Sequence, residues 1–277
     1  MTRSTDDSLA RRLVLLGICS DGNSSYLRGS AAAPPLIRAA LHSTATNLTS
    51  ENGIDFSKEA RFHDAGDRQI AGDDEAFQGI EQHVAEIVDQ GGYPLVLGGD
   101  HAISYPIVRA VAARHEAVND LHFEAHPDLY DELDGTRLSH ACPFARIHEE
   151  GLVGNHIQVG IRTMNDHQRA QANRFGVDVR EMKTFDPASF SPAFEGPLYL
   201  SFDLDALDPA HVPGVSHHEP GGLTVREVLS IIHRINVPIV GADIVEYNPE
   251  RDWQGMAAMV AAKLTKEIGS MILANSP

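Results

Sequence analysis

Seven short strand-like runs, most of them apolar, recur along the chain with helix-like stretches between them. The runs are Arg12 to Ile18, Tyr93 to Leu97, Asp120 to Phe123, His156 to Ile161, Val177 to Met182, Pro197 to Phe202 and Pro238 to Ile244. The intervening stretches include Asp74 to Gln90, Ile103 to His115, Asp166 to Phe175, Thr224 to Arg234 and Met256 to Ser270, and Thr224 with Glu227 makes a capping-box pattern. A strand that is apolar almost throughout is buried on both faces, and parallel strands need long helical crossovers. The pattern predicts an α/β fold, a mostly parallel central sheet covered by helices on both faces. No linker, repeat or break in composition interrupts the 277 residues, so one domain over 1–277 is expected.

Three of the apolar runs lead into clusters of metal-type side chains: Gly98-Gly99-Asp100-His101, Glu124-Ala125-His126-Pro127-Asp128 and Asp203-Leu204-Asp205. Side chains on extended backbone return to one side every second residue, so Glu124, His126 and Asp128 can converge, as can Asp203 and Asp205. The glycine pair gives the backbone freedom to turn His101 over the sheet edge. In an open α/β sheet, ligands gather at the carboxyl ends of the strands. Four carboxylates with two neutral imidazoles carry the charge that two divalent ions neutralise, whereas one ion would leave a buried cluster anionic. A carboxylate-rich, thiol-free set suits a hard ion, so two Mn²⁺ are expected, with Co²⁺, Ni²⁺ or Fe²⁺ compatible with the imidazoles. Such a pair serves hydrolysis by an activated water.

Composition narrows the partners. A net charge of −17 argues against nucleic acid, whose phosphates need clustered Lys and Arg, and favours cationic small molecules. Two cysteines, Cys19 and Cys142, are too few for a disulfide framework, which suggests a reducing compartment and a cytoplasmic location. Cys142, though near His140, reads as a small packing residue and not a nucleophile, since no oxyanion-hole signature accompanies it. Met1 to Arg12 is polar and carries Asp6 and Asp7, unlike a secretory or transit segment, and no apolar run reaches membrane-spanning length.

With these motifs in view, and with Ser201-Phe202-Asp203-Leu204-Asp205-Ala206-Leu207-Asp208-Pro209 completing the third, the chain resembles the ureohydrolases: arginases, agmatinases and guanidino-acid hydrolases. It is most similar to plant-type arginases, through Tyr130-Asp131, Ser139-His140-Ala141, Pro143-Phe144-Ala145-Arg146-Ile147, Pro213-Gly214-Val215-Ser216-His217 and Gly241-Ala242-Asp243. The resemblance implies a three-layer α/β/α sandwich, a binuclear Mn²⁺ site and hydrolysis of a guanidino group to urea and an amine. It makes His101, Glu124, His126, Asp128, Asp203 and Asp205 the ligands, with Asp128 also counted among the catalytic residues. His140 matches the family's proton-shuttling histidine, and Glu246 matches the carboxylate that holds the guanidinium. A planar guanidinium wants a bidentate carboxylate, and a departing amine needs an acid that titrates near neutrality. The resemblance also implies a homo-oligomer, a trimer or hexamer.

One position departs from the pattern. Ureohydrolases of this type carry Asp where this chain has Glu124, and the extra methylene moves the bridging carboxylate by on the order of 1 Å, enough to cost about 10²-fold where geometry is tight. An active natural variant, a weakened or metal-poor enzyme and a deliberate substitution are all consistent with it. The expectation is that the site takes metal but holds one ion less firmly. At the outer pocket, Asn165, His217 and Thr136 are candidate substrate contacts. L-Arginine is the favoured substrate, with agmatine or a guanidino acid the alternative. Two further readings are a non-catalytic protein of this fold, against which His140 and Glu246 speak, and a zinc deacetylase, whose tandem histidines precede the ligands, whereas His217-His218 follow them.

Overall fold

The computed structural model describes residues 9–70 and 74–275, so most of the Met1 to Arg12 segment lies outside the described residues. Eight strands form one parallel sheet: β1 Leu13–Cys19, β2 Phe62–Gln69, β3 Tyr93–Leu97, β4 Asn119–Phe123, β5 His156–Ile161, β6 Asp178–Glu181, β7 Leu198–Asp203 and β8 Ile239–Val245. Their spatial order is β2-β1-β3-β8-β7-β4-β5-β6. The helices are α1 Ala33–Leu41, α2 Asp74–Asp89, α3 Ser104–Ala112, α4 Pro143–Glu149, α5 Asp166–Phe175, α6 Val225–Ile232 and α7 Met256–Asn275.

The layers follow from strand alternation. On β1, Leu13 and Leu15 point into a core shared with Ile37 of α1, Val228 and Ile232 of α6 and Leu264 and Ile268 of α7. Val14, Leu16 and Ile18 point the other way, onto Ile80 and Val84 of α2, Ile107 and Val111 of α3, Phe144 of α4 and Ala172 of α5. Both faces are thus buried, which is why the central strands read as mostly apolar runs. The expected sandwich is what the chain forms.

All seven anticipated strands are present, and β2 joins them at the edge. Its sequence, FHDAGDRQ, is polar and only partly buried, so pairing with β1 makes it a strand where hydrophobicity does not. The capping box at Thr224 and Glu227 is formed in both halves. A second one, Asn165 with Gln168, starts α5. Among the described residues no helix is long and apolar enough to cross a membrane.

Candidate metal centre

The four central strands β3, β8, β7 and β4 end side by side, and each delivers acids or imidazoles from its carboxyl end. After β3 the chain passes so close to its neighbour that a Cβ on Gly99 would lie 1.7 Å from the Ser20 carbonyl oxygen. Only glycine fits there. Asp100 then caps the turn that carries His101, accepting from the Ala102 N–H at 3.2 Å, and its second oxygen accepts from the Asn23 N–H at 2.9 Å. On the next ladder, the Glu124 N–H donates to the Val159 carbonyl at 3.0 Å. Gly160, with φ 101°, lets β5 pass the Glu124 carbonyl, which a Cβ would meet at 2.7 Å.

Glu124, His126 and Asp128 converge, but not by strand alternation. β4 ends at Phe123, and the segment beyond it bends because Glu124 Oε1 accepts the N–H groups of Ala125 and His126, at 2.7 and 3.0 Å. Asp128 has φ 50°, and Glu246, just past β8, has φ 63°. Left-handed backbone at a non-glycine residue costs roughly 1–3 kcal/mol, and such strain gathers at functional sites.

Two clusters result, and Glu124 belongs to both. His101 Nδ1 lies 3.0 Å from Glu124 Oε2 and 3.2 Å from both Asp128 Oδ2 and Asp203 Oδ2. His126 Nδ1 lies 3.0 Å from Asp205 Oδ2 and 3.3 Å from Glu124 Oε1. All six residues anticipated from the sequence therefore meet, with one carboxylate oxygen of Glu124 turned to each imidazole.

The layer behind fixes the His101 ring. Ser201 Oγ donates to Asp243 Oδ1 at 2.8 Å, so it must accept from His101 Nε2–H, 3.0 Å away. Asp243 Oδ2 is held by Ser104 Oγ at 2.8 Å and the Tyr199 hydroxyl at 2.6 Å. With its proton on Nε2, the His101 ring turns Nδ1 to three carboxylate oxygens, an arrangement that calls for positive charge between them, either a second proton on the ring or a metal ion. Charge strain says the same. Burial, with the Asp205 and Asp128 charges, pushes the Glu124 carboxyl up to about 7, and Asp203 rises well above the carboxylate range through burial and its acidic neighbours. Burial alone would lower both imidazoles, yet the acids around them raise His101 and His126 well above 6.5. Asp205, which burial would raise, is held below the carboxylate range chiefly by the His126 charge. A buried carboxylate–imidazole set in this condition fits divalent cations, and the donor chemistry fits a hard one.

Beside these clusters, Glu246 Oε1 accepts from the His101 N–H at 2.9 Å and pairs with His140 Nδ1 at 3.2 Å. Burial works against charge on Glu246, but His140 and the His101 N–H outweigh it and lower its pKa. Burial likewise works against charge on His140, and Glu246, Asp128 and Asp100 push it up to about 9. Its Nε2 contacts Ser25 Oγ at 2.8 Å, and His217 stacks on it with centroids 5.3 Å apart. A cavity of about 190 Å³ opens over the clusters, lined by His140, Glu246, His217, Asn165, Tyr130 and Ser25 among others. Thr136 is not among its walls; it sits in the adjoining depression with Leu133 and Ser139. Tyr130, Ser25, Ser201 and Asp243 were not anticipated as site residues, because isolated hydroxyls and a lone strand acid carry no spacing signature.

A parallel sheet between helices, with acid and imidazole clusters at its strand ends, defines a metal-dependent hydrolase. The sequence model of the arginase family matches residues 11–270, and the chain belongs to that family, which makes it a ureohydrolase. It is 44% identical over 275 residues to Arginase 1, mitochondrial, of Arabidopsis thaliana, covering 93% of this chain and 80% of that one. The agmatinase of Bacillus anthracis is more distant, 32% identical over 268 residues, covering 92% of this chain and 90% of that one. Among solved structures, the arginase from Medicago truncatula superposes with a TM-score of 0.90 at 40% identity, covering 98% of this chain and 90% of that one. The expected cytoplasmic location is corrected by such relatives, since Arginase 1 of Arabidopsis thaliana and of Oryza sativa is named mitochondrial and Arginase 2 of Arabidopsis thaliana chloroplastic/mitochondrial. The cysteine count misled because it reports only redox conditions, and those do not separate the cytosol from an organelle interior.

Proposed function

We propose that the protein is an arginase, hydrolysing L-arginine to L-ornithine and urea at a site of two Mn²⁺ ions. The observation that carries the reading is the division of Glu124 between two imidazole clusters, which is the demand of a bridging ligand. His101, Asp128 and Asp203 would hold one ion with Glu124, and His126 and Asp205 the other. Ions so held supply activation of a water nucleophile near neutral pH.

The remaining steps belong to side chains of this chain. Glu246 spends both its hydrogen bonds on Oε1, which leaves Oε2 free, among the described residues, to take a guanidinium N–H. His140, paired through Nδ1 with Glu246, stands at the edge of the cavity where a departing amine must be protonated. At the outer wall, Asn165 Oδ1 accepts the Gln168 N–H at 2.9 Å, so its amide nitrogen is the group that donates to the Tyr130 hydroxyl at 2.6 Å. Tyr130 is thereby left with its own O–H to give, which suits a substrate carboxylate and favours arginine over agmatine.

The same reading takes residues 1–277 as one ureohydrolase domain and the protein as a homo-oligomer, a trimer or hexamer, to be measured by sedimentation. The decisive test is urea release from arginine, agmatine and 4-guanidinobutyrate side by side, with metal content by elemental analysis. Arginine should lead, with Mn²⁺ present; a clear preference for agmatine overturns the substrate choice, and no urea from any of them overturns the activity.

A further inference from the structure

We propose that His122 is a positioning residue whose Nε2–H holds the long Glu124 carboxylate in its shared place between the two clusters; this rests on the metal-site reading above. His122 stands near the end of β4, two residues before Glu124, which follows the strand's last residue, Phe123. Its ring is fully buried, stacked on Phe144 at 3.9 Å between centroids and edge-on to His101 at 5.0 Å.

The tautomer of this ring is dictated from the neighbouring strand. Gln158 of β5 is the register partner of His122. Its carboxamide nitrogen donates to the Pro127 carbonyl at 2.7 Å and lies 3.1 Å from His122 Nδ1. A carbonyl oxygen can only accept, so the amide nitrogen must face Pro127, and Nδ1 must then be an acceptor too. The neutral ring has one proton left to place, and it goes on Nε2.

That N–H has no hydrogen-bond partner among the described residues. The acceptor it faces is Glu124 Oε2, 3.6 Å away. An unmet buried donor costs roughly 1–3 kcal/mol, so the carboxylate is drawn the half ångström or so that closes the bond. His122 lies close enough to His101 and Glu124 to be imagined as a metal ligand, but a protonated Nε2 has no lone pair to give. It therefore acts through Glu124. An Asp at 124 ends about one C–C bond, roughly 1.5 Å, short of this donor, so the hold belongs to Glu alone.

The experiment is a double-mutant cycle on the full chain, reading Mn²⁺ affinity by calorimetry without any substrate. His122→Phe keeps the stacked ring and removes the donor; it should weaken the poorer Mn²⁺ site about 10- to 100-fold when Glu124 is present, and less than about 2-fold in a Glu124→Asp background. Equal losses in both backgrounds, or none in either, overturn the proposal, because a merely structural histidine does not depend on residue 124. Should His122→Phe fail to fold, long-range ¹⁵N correlation on the unaltered protein reads the tautomer: a protonated Nε2 supports the proposal and a protonated Nδ1 overturns it. Neither measurement depends on turnover, so an inactive but Mn²⁺-binding protein that shows the coupling would remove the arginase reading and still support His122.

Discussion

Ser201→Ala tests the reasoning about His101 most sharply. The hydroxyl removed is the acceptor for a fully buried His101 Nε2–H and a donor to Asp243, 3.0 and 2.8 Å away. Two costs follow. In metal-free protein an orphaned buried donor is worth roughly 1–3 kcal/mol of stability. With Mn²⁺, the ring is no longer bound to carry its proton on Nε2 and can turn it to Nδ1, toward the acids, where it competes with metal. Loss of such an outer hydrogen bond lowers metal affinity about 10- to 100-fold, or about 1.4–2.7 kcal/mol. The assay is urea release across a Mn²⁺ titration at fixed pH, with calorimetry for affinity. Half-saturation should move to higher Mn²⁺ while the plateau recovers, and Ser201→Thr, which keeps the hydroxyl, should behave like the parent. An unchanged half-saturation with a depressed plateau refutes the account.

Glu124→Asp shortens the bridge and should raise turnover, up to about 10²-fold, in the urea assay; a slower variant means that Glu is already well accommodated. Glu246→Gln keeps the shape and loses the charge, so kcat/KM for arginine should fall roughly 10- to 100-fold with metal content unchanged by elemental analysis. Gly99→Ala forces a Cβ against the Ser20 carbonyl and should cost roughly 3 kcal/mol, read as a thermal shift; an unshifted melt contradicts the packing argument. His148 is lowered to about 4 by burial, whereas in the unfolded chain it titrates near 6.5. Between those values the unfolded state binds a proton that the folded state does not, so stability is intact above 6.5 and falls on acidification by up to about 1.4 kcal/mol per pH unit. Denaturant titrations of His148→Gln should show a correspondingly flatter acid limb.

The central strands were legible in the sequence because burial on both faces leaves them mostly apolar, with Asp120, His122, Ser201 and Asp243 as buried exceptions. β2 was not, since its membership depends on a neighbour and not on its own hydrophobicity. α4, at seven residues, is too short to display a helical period, and α1 opens with Pro34 and Pro35, which suit a first turn yet read as a break. The six candidate ligands stood out because each cluster is contiguous in sequence. Their convergence was expected for the wrong local reason: beyond Phe123 the chain is bent by Glu124 accepting its own following amides, not extended. Ser201, Asp243, His122 and Gln158 matter only through strand register, which joins residues far apart in the chain and cannot be read along it. Thr136 was placed by analogy of position, and a turn closed between Leu133 and Thr136 carries it to the neighbouring depression.

Both outermost strands are short of apolar side chains: β2 bears Asp64, Asp67 and Arg68, and β6 bears Asp178, Arg180 and Glu181. Arg38 reaches across to grip Asp64 and Asp67, adding an ionic fringe to one margin. Charged rims of this kind discourage another chain from adding itself as a ninth strand. For copies of this protein that assemble, such rims favour contact through helices and loops over extension of the sheet.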